Sequence, residues 1–409
     1  MRLAVVSPFL DRQHGTELCI IEQIERLAAR DNWEIHLYAQ RVQDVHGLRL
    51  FTHPSESSPG SILWHRASDI RGPHLLKYLW WFVVNQRRRR RDLRSGKICP
   101  DLTYSPGINC LDADVIVVHI VFQAFYDQVR SELAFSRVSI RNWPLLIHRR
   151  LYYKFIMSLE RRIYRNPEVR LAAVSSHVAS QLKSYFQCDD VCVIPNAVDT
   201  VRFSPQARNK RRSESRRSFS YDEQDFVLLL IGNDWKKKGL DTLLRALALL
   251  AVLPLRLLVV GSDNPGLYRP LLSQLGLQQR VRIEKPSPDV LSFYAAADLY
   301  VAPSLEDAFN LPILEAMACG LPVIASAKAG ASELIRDGET GFILTDPQDH
   351  LHLADLIRRL HGDDTLRTAV GESASRYALA NCSWNENAQK TKEFLEAAFQ
   401  HLRKSGRSH

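Results

Sequence analysis

Asp307 and Glu315 are separated by seven residues, and the stretch between them, Ala308-Phe309-Asn310-Leu311-Pro312-Ile313-Leu314, reads as a tight apolar turn entering a helix. The first N–H groups of a helix have no intrahelical acceptors, so a helix start attracts phosphate. Acids repel phosphate, but they accept hydrogen bonds from hydroxyl groups set beside it. A nucleotide sugar has that layout: ribose, diphosphate, hexose. A cationic loop, Gly232-Asn233-Asp234-Trp235-Lys236-Lys237-Lys238-Gly239, directly precedes a helical run from Leu240. Lysines at a helix N-terminus oppose its dipole and make sense if an anion lies between them. The bland alternatives are a surface helix start with scattered acids and a solvated basic turn.

The segment from Pro303 to Ser326 closely resembles the acid–x7–acid signature of the retaining glycosyltransferases of family 4, which transfer sugars from nucleoside diphosphates. That family usually has Glu at the first acid and Gly at the fourth position, where Asp307 and Asn310 stand here. Asn is the non-Gly residue that best tolerates positive φ, so the turn can survive the change. Asp307, rather than its neighbour Glu306, keeps the spacing to Glu315. The resemblance implies that Lys238, six residues after the strand-end Gly232, binds phosphate. Asn233 replaces the family's commoner Arg, and Lys237 or Lys236 would supply the second charge, as in the subgroup related to lipopolysaccharide-core glucosyltransferases. The resemblance also implies donor contacts at Phe309, Asn310 and Leu311, a phosphate-facing loop at Gly15, and a supporting acid at Glu333. It places a donor-sugar-binding His at His119; the plain alternative is a histidine capping a sheet edge.

The elements that must position these groups alternate strand and helix. Leu3–Val6, Trp33–Tyr38, Val115–Val118 and Leu171–Ser176 read as strands of one run, and Val191–Asp199 resembles the family's domain-linking segment. Phe226–Ile231, Leu257–Gly261, Val281–Ile283, Leu299–Val301 and Pro322–Ala325 form a second. Leu18, Ile21, Ile24, Leu27 and Ala28 recur at helical spacing. Two such runs predict an α/β chain with two parallel-sheet, Rossmann-like domains, and the resemblance implies the GT-B architecture, in which they face a cleft. The predicted division is 1–198 for the acceptor side and 199–383 for the nucleotide-sugar side, with a last helix over 384–404 crossing back onto the first. The Arg- and Ser-rich stretch 204–224 reads as a solvated connection. Gly330-Ala331-Ser332-Glu333 reads as an N-cap ahead of a helix.

Composition narrows the class. With 409 residues, 45% hydrophobic and 24% charged, the chain suits a soluble globular protein of two domains. Seven scattered cysteines fit no zinc set and predict reduced thiols in the cytoplasm. The N-terminus reaches Pro8 and Asp11 too soon for a signal peptide. Leu243–Val260 carries Arg245, Pro254 and Arg256, so a helix, a turn and a strand are expected there rather than a span. The net charge of +9 predicts an anionic partner, and no motif accompanies it that would favour nucleic acid. Residues 74–91 join an aromatic apolar patch to the five arginines Arg87–Arg91, and 141–165 is a second basic stretch. This pattern predicts docking on an anionic membrane surface at its inner face; a domain helix with a solvated basic end is the alternative. Asp112-Ala113-Asp114 imitates an Asp-x-Asp metal site but enters a buried strand directly, so no metal is expected.

The expected reaction moves a hexose from a nucleoside-diphosphate sugar to a hydroxyl of a glycan or lipid-linked glycan acceptor, such as a lipopolysaccharide or surface-polysaccharide precursor. Lys238, Asp307, Glu315 and His119 would carry the chemistry, with the donor as substrate and no cofactor. The rivals are a sucrose- or glycogen-synthase-like enzyme with a soluble acceptor, a nucleotide-sugar epimerase, and a sugar-nucleotide-binding protein without turnover.

Overall fold

The computed structural model describes residues 1–12, 14–96, 98–130 and 143–404; Arg141, where the second basic stretch begins, lies outside them. The chain divides into two compact units, Met1–Ile194 with Asn387–His409, and Pro195–Glu386.

The first unit opens with β1 (Arg2–Val6), β2 (Phe9–Leu10), α1 (Gly15–Asp31), β3 (Glu34–Ala39), β4 (Arg41–Val42) and β5 (Leu48–Leu50). It continues through β6 (Ile62–Arg66), α2 (His74–Arg94), β7 (Leu102–Pro106), β8 (Val115–Val118) and α3 (Phe122–Val129). Then follow α4 (Trp143–Tyr164), β9 (Arg170–Ala173), α5 (Ser176–Phe186) and β10 (Val191–Val193). Eight strands form one sheet in the order β10-β9-β8-β7-β1-β3-β6-β5. Its pairings are parallel, and β1 and β8 are apolar runs, as strands covered on both faces must be. β3 keeps its polar residues inside by pairing them: His36 Nε2 lies 2.7 Å from Glu34 Oε1, and Nδ1 lies 3.0 Å from His65 Nε2. Burial holds His36 down to about 4, so it stays neutral at physiological pH.

The acids of the Asp-x-Asp pattern are committed to structure. Asp112 pairs with Arg89 and accepts from Gln86 at 2.7 Å, while Asp114 Oδ2 accepts the Thr103 N–H at 2.7 Å. On α2, Arg88 and Arg89 are drawn to Asp92 and Asp112. Leu76, Leu79, Trp80 and Val83 are exposed, and the equally exposed Arg87, Arg90, Arg91 and Arg94 continue the same helical spacing.

The second unit runs α6 (Pro205–Ser218), β11 (Phe226–Ile231), α7 (Leu240–Leu249), β12 (Leu255–Val260), α8 (Arg269–Gln274), β13 (Val281–Glu284) and α9 (Leu291–Ala296). After these come β14 (Leu299–Ala302), α10 (Leu311–Ala318), β15 (Val323–Ser326), β16 (Phe342–Leu344), α11 (His350–Gly362) and α12 (Asp364–Asn381). Six parallel strands are ordered β13-β12-β11-β14-β15-β16. Leu228, Leu230, Leu257 and Val259 meet Leu243, Leu244 and Leu247 of α7 in the core. The last helix, α13 (Trp384–Lys404), belongs to the first unit from Asn387 onward. There Gln23 Nε2 donates to Asn387 Oδ1 at 2.9 Å and Lys392 meets Asp31 at 2.5 Å.

One expectation fails. Residues 204–224 are not a solvated connection: α6 packs its arginines onto the C-terminal end of α9. Arg208 and Arg212 donate to the Ala297 carbonyl at 2.9 and 3.0 Å. Arg216, 1% exposed, donates to the Ala296 carbonyl and to Asp298, both at 3.1 Å. Cations at a helix C-terminus complement its dipole, so an arginine-rich helix can be an anchor. All seven cysteines are free thiols, and among the described residues no helix is long and apolar enough to cross a membrane.

Arg216→Ala should lower the unfolding free energy by ~3 kcal/mol, because it takes a buried donor from the Ala296 and Asp225 carbonyls and leaves Asp298 to Arg212 and the Val227 N–H. Urea denaturation checks this; an unchanged midpoint would show that α6 is not anchored.

Candidate functional site

The sheet of the second unit reverses direction between β11 and β14: β12 and β13 extend one way, β15 and β16 the other. Loops at the carboxyl ends of strands flanking such a reversal diverge and leave room for a ligand. Both signature segments lie there, the lysine loop after β11 and the acid–x7–acid loop after β14.

The two loops are fastened to each other. Gly232 takes φ 142° at the end of β11, and the next residues turn back on Asp263, whose Oδ2 accepts the Asp234 N–H at 2.9 Å. Gly239, with φ 76°, is the N-cap of α7. A Cβ at Gly239 would stand 1.9 Å from the Pro303 carbonyl oxygen, so only glycine permits this approach. The Leu305 N–H donates to the Lys237 carbonyl at 2.7 Å. Across this seam Lys238 Nζ meets Asp307 Oδ2 at 2.5 Å, with side-chain exposures of 17% and 18%. The lysine stem crosses Gly232, where a Cβ would lie 2.6 Å from Lys238 Cε.

Asp307 is held from all sides. Its Oδ1 accepts the Phe309 N–H at 3.2 Å, its N–H donates to Lys328, and its carbonyl accepts from Gly330 at 2.9 Å. Phe309 is buried, and its carbonyl accepts from Ala331 at 2.6 Å. Asn310 adopts φ 70° and ψ 68° as the N-cap of α10, the left-handed geometry expected where the family has glycine. Its Nδ2 donates to Ser304 Oγ at 3.2 Å, and its buried Oδ1 has no partner among the described residues. Pro312 carries no N–H and that of Ile313 goes to Asn310, which leaves the Leu311 N–H to greet an anion at the helix start.

Glu315 lies one turn along α10, where its Oε2 accepts from Tyr294 Oη at 2.5 Å. Burial pushes its carboxyl above the ordinary range, opposed by the Tyr294 hydrogen bond and by the charge of Arg202. Lys237 Nζ lies 3.4 Å from Asp234 Oδ2. Asn233, in the position of the family's Arg, accepts from the Ser262 N–H at 2.8 Å and so ties two loops. The N-cap reading of Gly330–Glu333 needs correction: Gly330–Leu334 is itself a short 3-10 turn, and the next α-helix begins only at His350, so no α-helix is capped there. Glu333 is exposed on that turn, which is fixed to Asp307 and Phe309 through Gly330 and Ala331.

His119 and Gly15 belong to the first unit, after β8 and at the start of α1. Burial pushes His119 down to about 4, so it is a neutral imidazole, and its Nε2 has no partner among the described residues. Gly15 has no atom within 4 Å of an added Cβ, so sterics do not demand glycine there. Sequence reasoning does not single out Tyr294, Ser304 or Asp263. Tyr294 lies in a helical run whose distance along the chain from Glu315 carries no signal.

Residues 211–377 match the family described as Glycosyl transferases group 1. The match lies within the second unit. D-inositol 3-phosphate glycosyltransferase of Corynebacterium urealyticum is 31% identical over 251 residues, covering 58% of each chain. Lipopolysaccharide glucosyltransferase WaaG of Escherichia coli is 33% identical over 190 residues, covering 45% of this chain and 50% of that protein. The chain thus spans about half the length of the curated relatives it matches. The crystal structure of WaaG, a glycosyltransferase involved in lipopolysaccharide biosynthesis, superposes with a TM-score of 0.71 at 20% identity, covering 96% of this chain and 98% of that one. Anabaena HepE in complex with UDP and glucose gives 0.66 at 19% identity, covering 97% and 100%. The fold is therefore GT-B.

Alanine at the two seam glycines separates their roles. Gly239→Ala drives a Cβ into backbone at a left-handed φ and should cost ~4 kcal/mol or more, whereas Gly232→Ala meets a movable lysine stem but forces alanine to φ 142° and should cost ~2 kcal/mol. Urea titrations of both variants check the order; equal costs would contradict the described seam.

Proposed function

We propose that the chain is a retaining, metal-independent glycosyltransferase that moves a hexose from a nucleoside-diphosphate sugar to a hydroxyl of a glycolipid, lipopolysaccharide or surface-polysaccharide precursor. The observation that carries this reading is the ion pair of Lys238 with Asp307, whose other oxygen accepts the Phe309 N–H one residue before the N-cap of α10. The diphosphate would lie against Lys238 Nζ and the Leu311 N–H, and the acids would accept from the hydroxyls of the sugars on either side.

Transfer breaks the bond between the anomeric carbon and the diphosphate oxygen, whose electron pair leaves with the nucleoside diphosphate. The acceptor oxygen forms the new bond, and its proton passes to the departing phosphate. About one unit of negative charge develops on the leaving group, and removing one preorganised donor to such a charge commonly costs ~3–4 kcal/mol. Lys238 supplies this cation, so no metal is invoked. Both oxygens of Asp307 are committed, one to Lys238 and one to the Phe309 N–H, which disfavours it as a nucleophile for double displacement and favours same-face attack. His119, neutral above about pH 5, suits hydrogen bonding to a hydroxyl better than charge pairing.

The stripe on α2 supports docking at an anionic membrane surface. Leu76, Leu79, Trp80 and Val83 present apolar surface, and Arg87, Arg90, Arg91 and Arg94 have no ion-pair partner among the described residues. Each such arginine near an anionic bilayer contributes ~1 kcal/mol.

Lys238→Ala and Glu315→Ala should each weaken donor binding or turnover at least tenfold, ~1.4 kcal/mol or more. Steady-state kinetics with a nucleotide-sugar panel check this, and unchanged values for both would place the site elsewhere. Slow release of free sugar without acceptor is expected of a transferase, whereas tight donor binding with no release under any acceptor would favour a binding protein. For the surface, the protein should float with phosphatidylglycerol vesicles at low salt, and replacing the four arginines by Glu should abolish this. Wild-type protein that stays at the bottom of the gradient would retire membrane docking.

A further inference from the structure

Glu315 has two carboxylate oxygens with different fates. Oε2 accepts the Tyr294 hydroxyl at 2.5 Å, while Oε1 makes no hydrogen bond among the described residues. Tyr294 is fully buried, and its ring is fixed from two sides. Phe203 meets it edge-on at 5.7 Å and 87°, and Tyr300 lies 6.2 Å away. Phe203 is in turn covered by the Arg202 guanidinium, 5.2 Å from its centroid, which donates to the Pro288 carbonyl at 2.8 Å. The chain entering the second unit therefore braces a tyrosine whose hydroxyl grips one oxygen of the second signature acid.

We propose that Tyr294 is the positioning residue for Glu315, holding one carboxylate oxygen so that the other is presented, ionised and correctly aimed, to a hydroxyl of the bound nucleoside diphosphate. This rests on the reading that Glu315 meets the donor. A free carboxylate on a helix rotates among several rotamers, and a ligand must then order it; a buried hydroxyl that has already chosen one removes that cost. The same bond favours the charged form of a carboxylate that burial otherwise neutralises. The groups facing Glu315 are Tyr294 from α9, Arg202 from the entering segment, Tyr300 from β14 and Cys319 on its own helix. Tyr300 and Cys319 are held protonated by burial, so Tyr294 and Arg202 are the groups that favour the charge.

The sign of the effect follows. Losing the Tyr294 hydroxyl raises the Glu315 pKa further, so binding that needs the carboxylate fails at a higher pH on acidification. The test is calorimetric titration of the full chain from pH 5 to 8.5 with whichever of UDP, GDP and ADP binds most tightly. It compares wild type, Tyr294→Phe, Glu315→Gln and the double variant. Tyr294→Phe should bind about five-fold more weakly at pH 7 and move the acidic limb up by at least about half a pH unit. Glu315→Gln should lack that limb, and in its background Tyr294→Phe should change nothing. An unmoved limb in Tyr294→Phe, or a full effect of Tyr294→Phe in the Glu315→Gln background, overturns the proposal. Should Tyr294→Phe not fold, Phe203→Leu, which loosens the ring but keeps the hydroxyl, must shift the limb in the same direction by less; no shift overturns it equally. Glu315→Gln that binds like wild type, or wild type that binds none of the three nucleotides, would instead sink the donor reading itself.

Discussion

A lysine at the start of a helix faces the positive end of that helix's dipole, and the second unit solves this by setting Asp307 against Lys238. Partly buried ion pairs add little net stability, so the value of this one is geometric. It keeps the ammonium at a fixed point between the loops after β11 and β14, and those loops can approach because Gly239 has no side chain to meet Pro303. Everything else in the site hangs from this seam. Asp307 orders Phe309, Phe309 leads to the left-handed Asn310, and Asn310 starts α10, which carries Glu315.

The sheet explains why the seam is where it is. β11 and β14 are neighbours in space although β12 and β13 intervene in sequence, and the reversal opens the chain between their carboxyl ends. β15 supports it from the far side, where Ser326 Oγ donates to the Ser304 carbonyl at 2.5 Å. The first unit has its own reversal between β1 and β7, and Gly15 follows the strand at that point. Its buried polar groups are spent differently: Glu34, His36 and His65 form a chain inside the sheet that ends facing Asp92, and Glu160 takes the Phe122 and Gln123 N–H groups at 2.7 and 2.9 Å.

Much of this is legible in residue order because the governing rules are local. Apolar runs with periodic helices between them mark both parallel sheets, and Asn at the fourth motif position is readable as a left-handed residue since few others tolerate that φ. Lys238 and Asp307 stand out separately by type and spacing; that they touch is a matter of tertiary structure. α6 misleads because arginine-rich composition normally marks solvated chain, whereas here the guanidinium groups cap α9. Gly330–Glu333 misleads because a Ser and an acid at cap-like spacing also suit a 3-10 turn. Tyr294 is invisible in sequence, since its partner lies across a strand and a loop.

The central claim is that Lys238 and the start of α10 grip the diphosphate while Glu315 meets the nucleoside. A crystal structure of the full chain soaked with UDP, or with GDP or ADP if those bind better, tests it most directly. The terminal phosphate should lie within hydrogen-bond distance of Lys238 Nζ and the Leu311 N–H, with ribose hydroxyls on Glu315 Oε1. A nucleotide bound away from these three groups would contradict it.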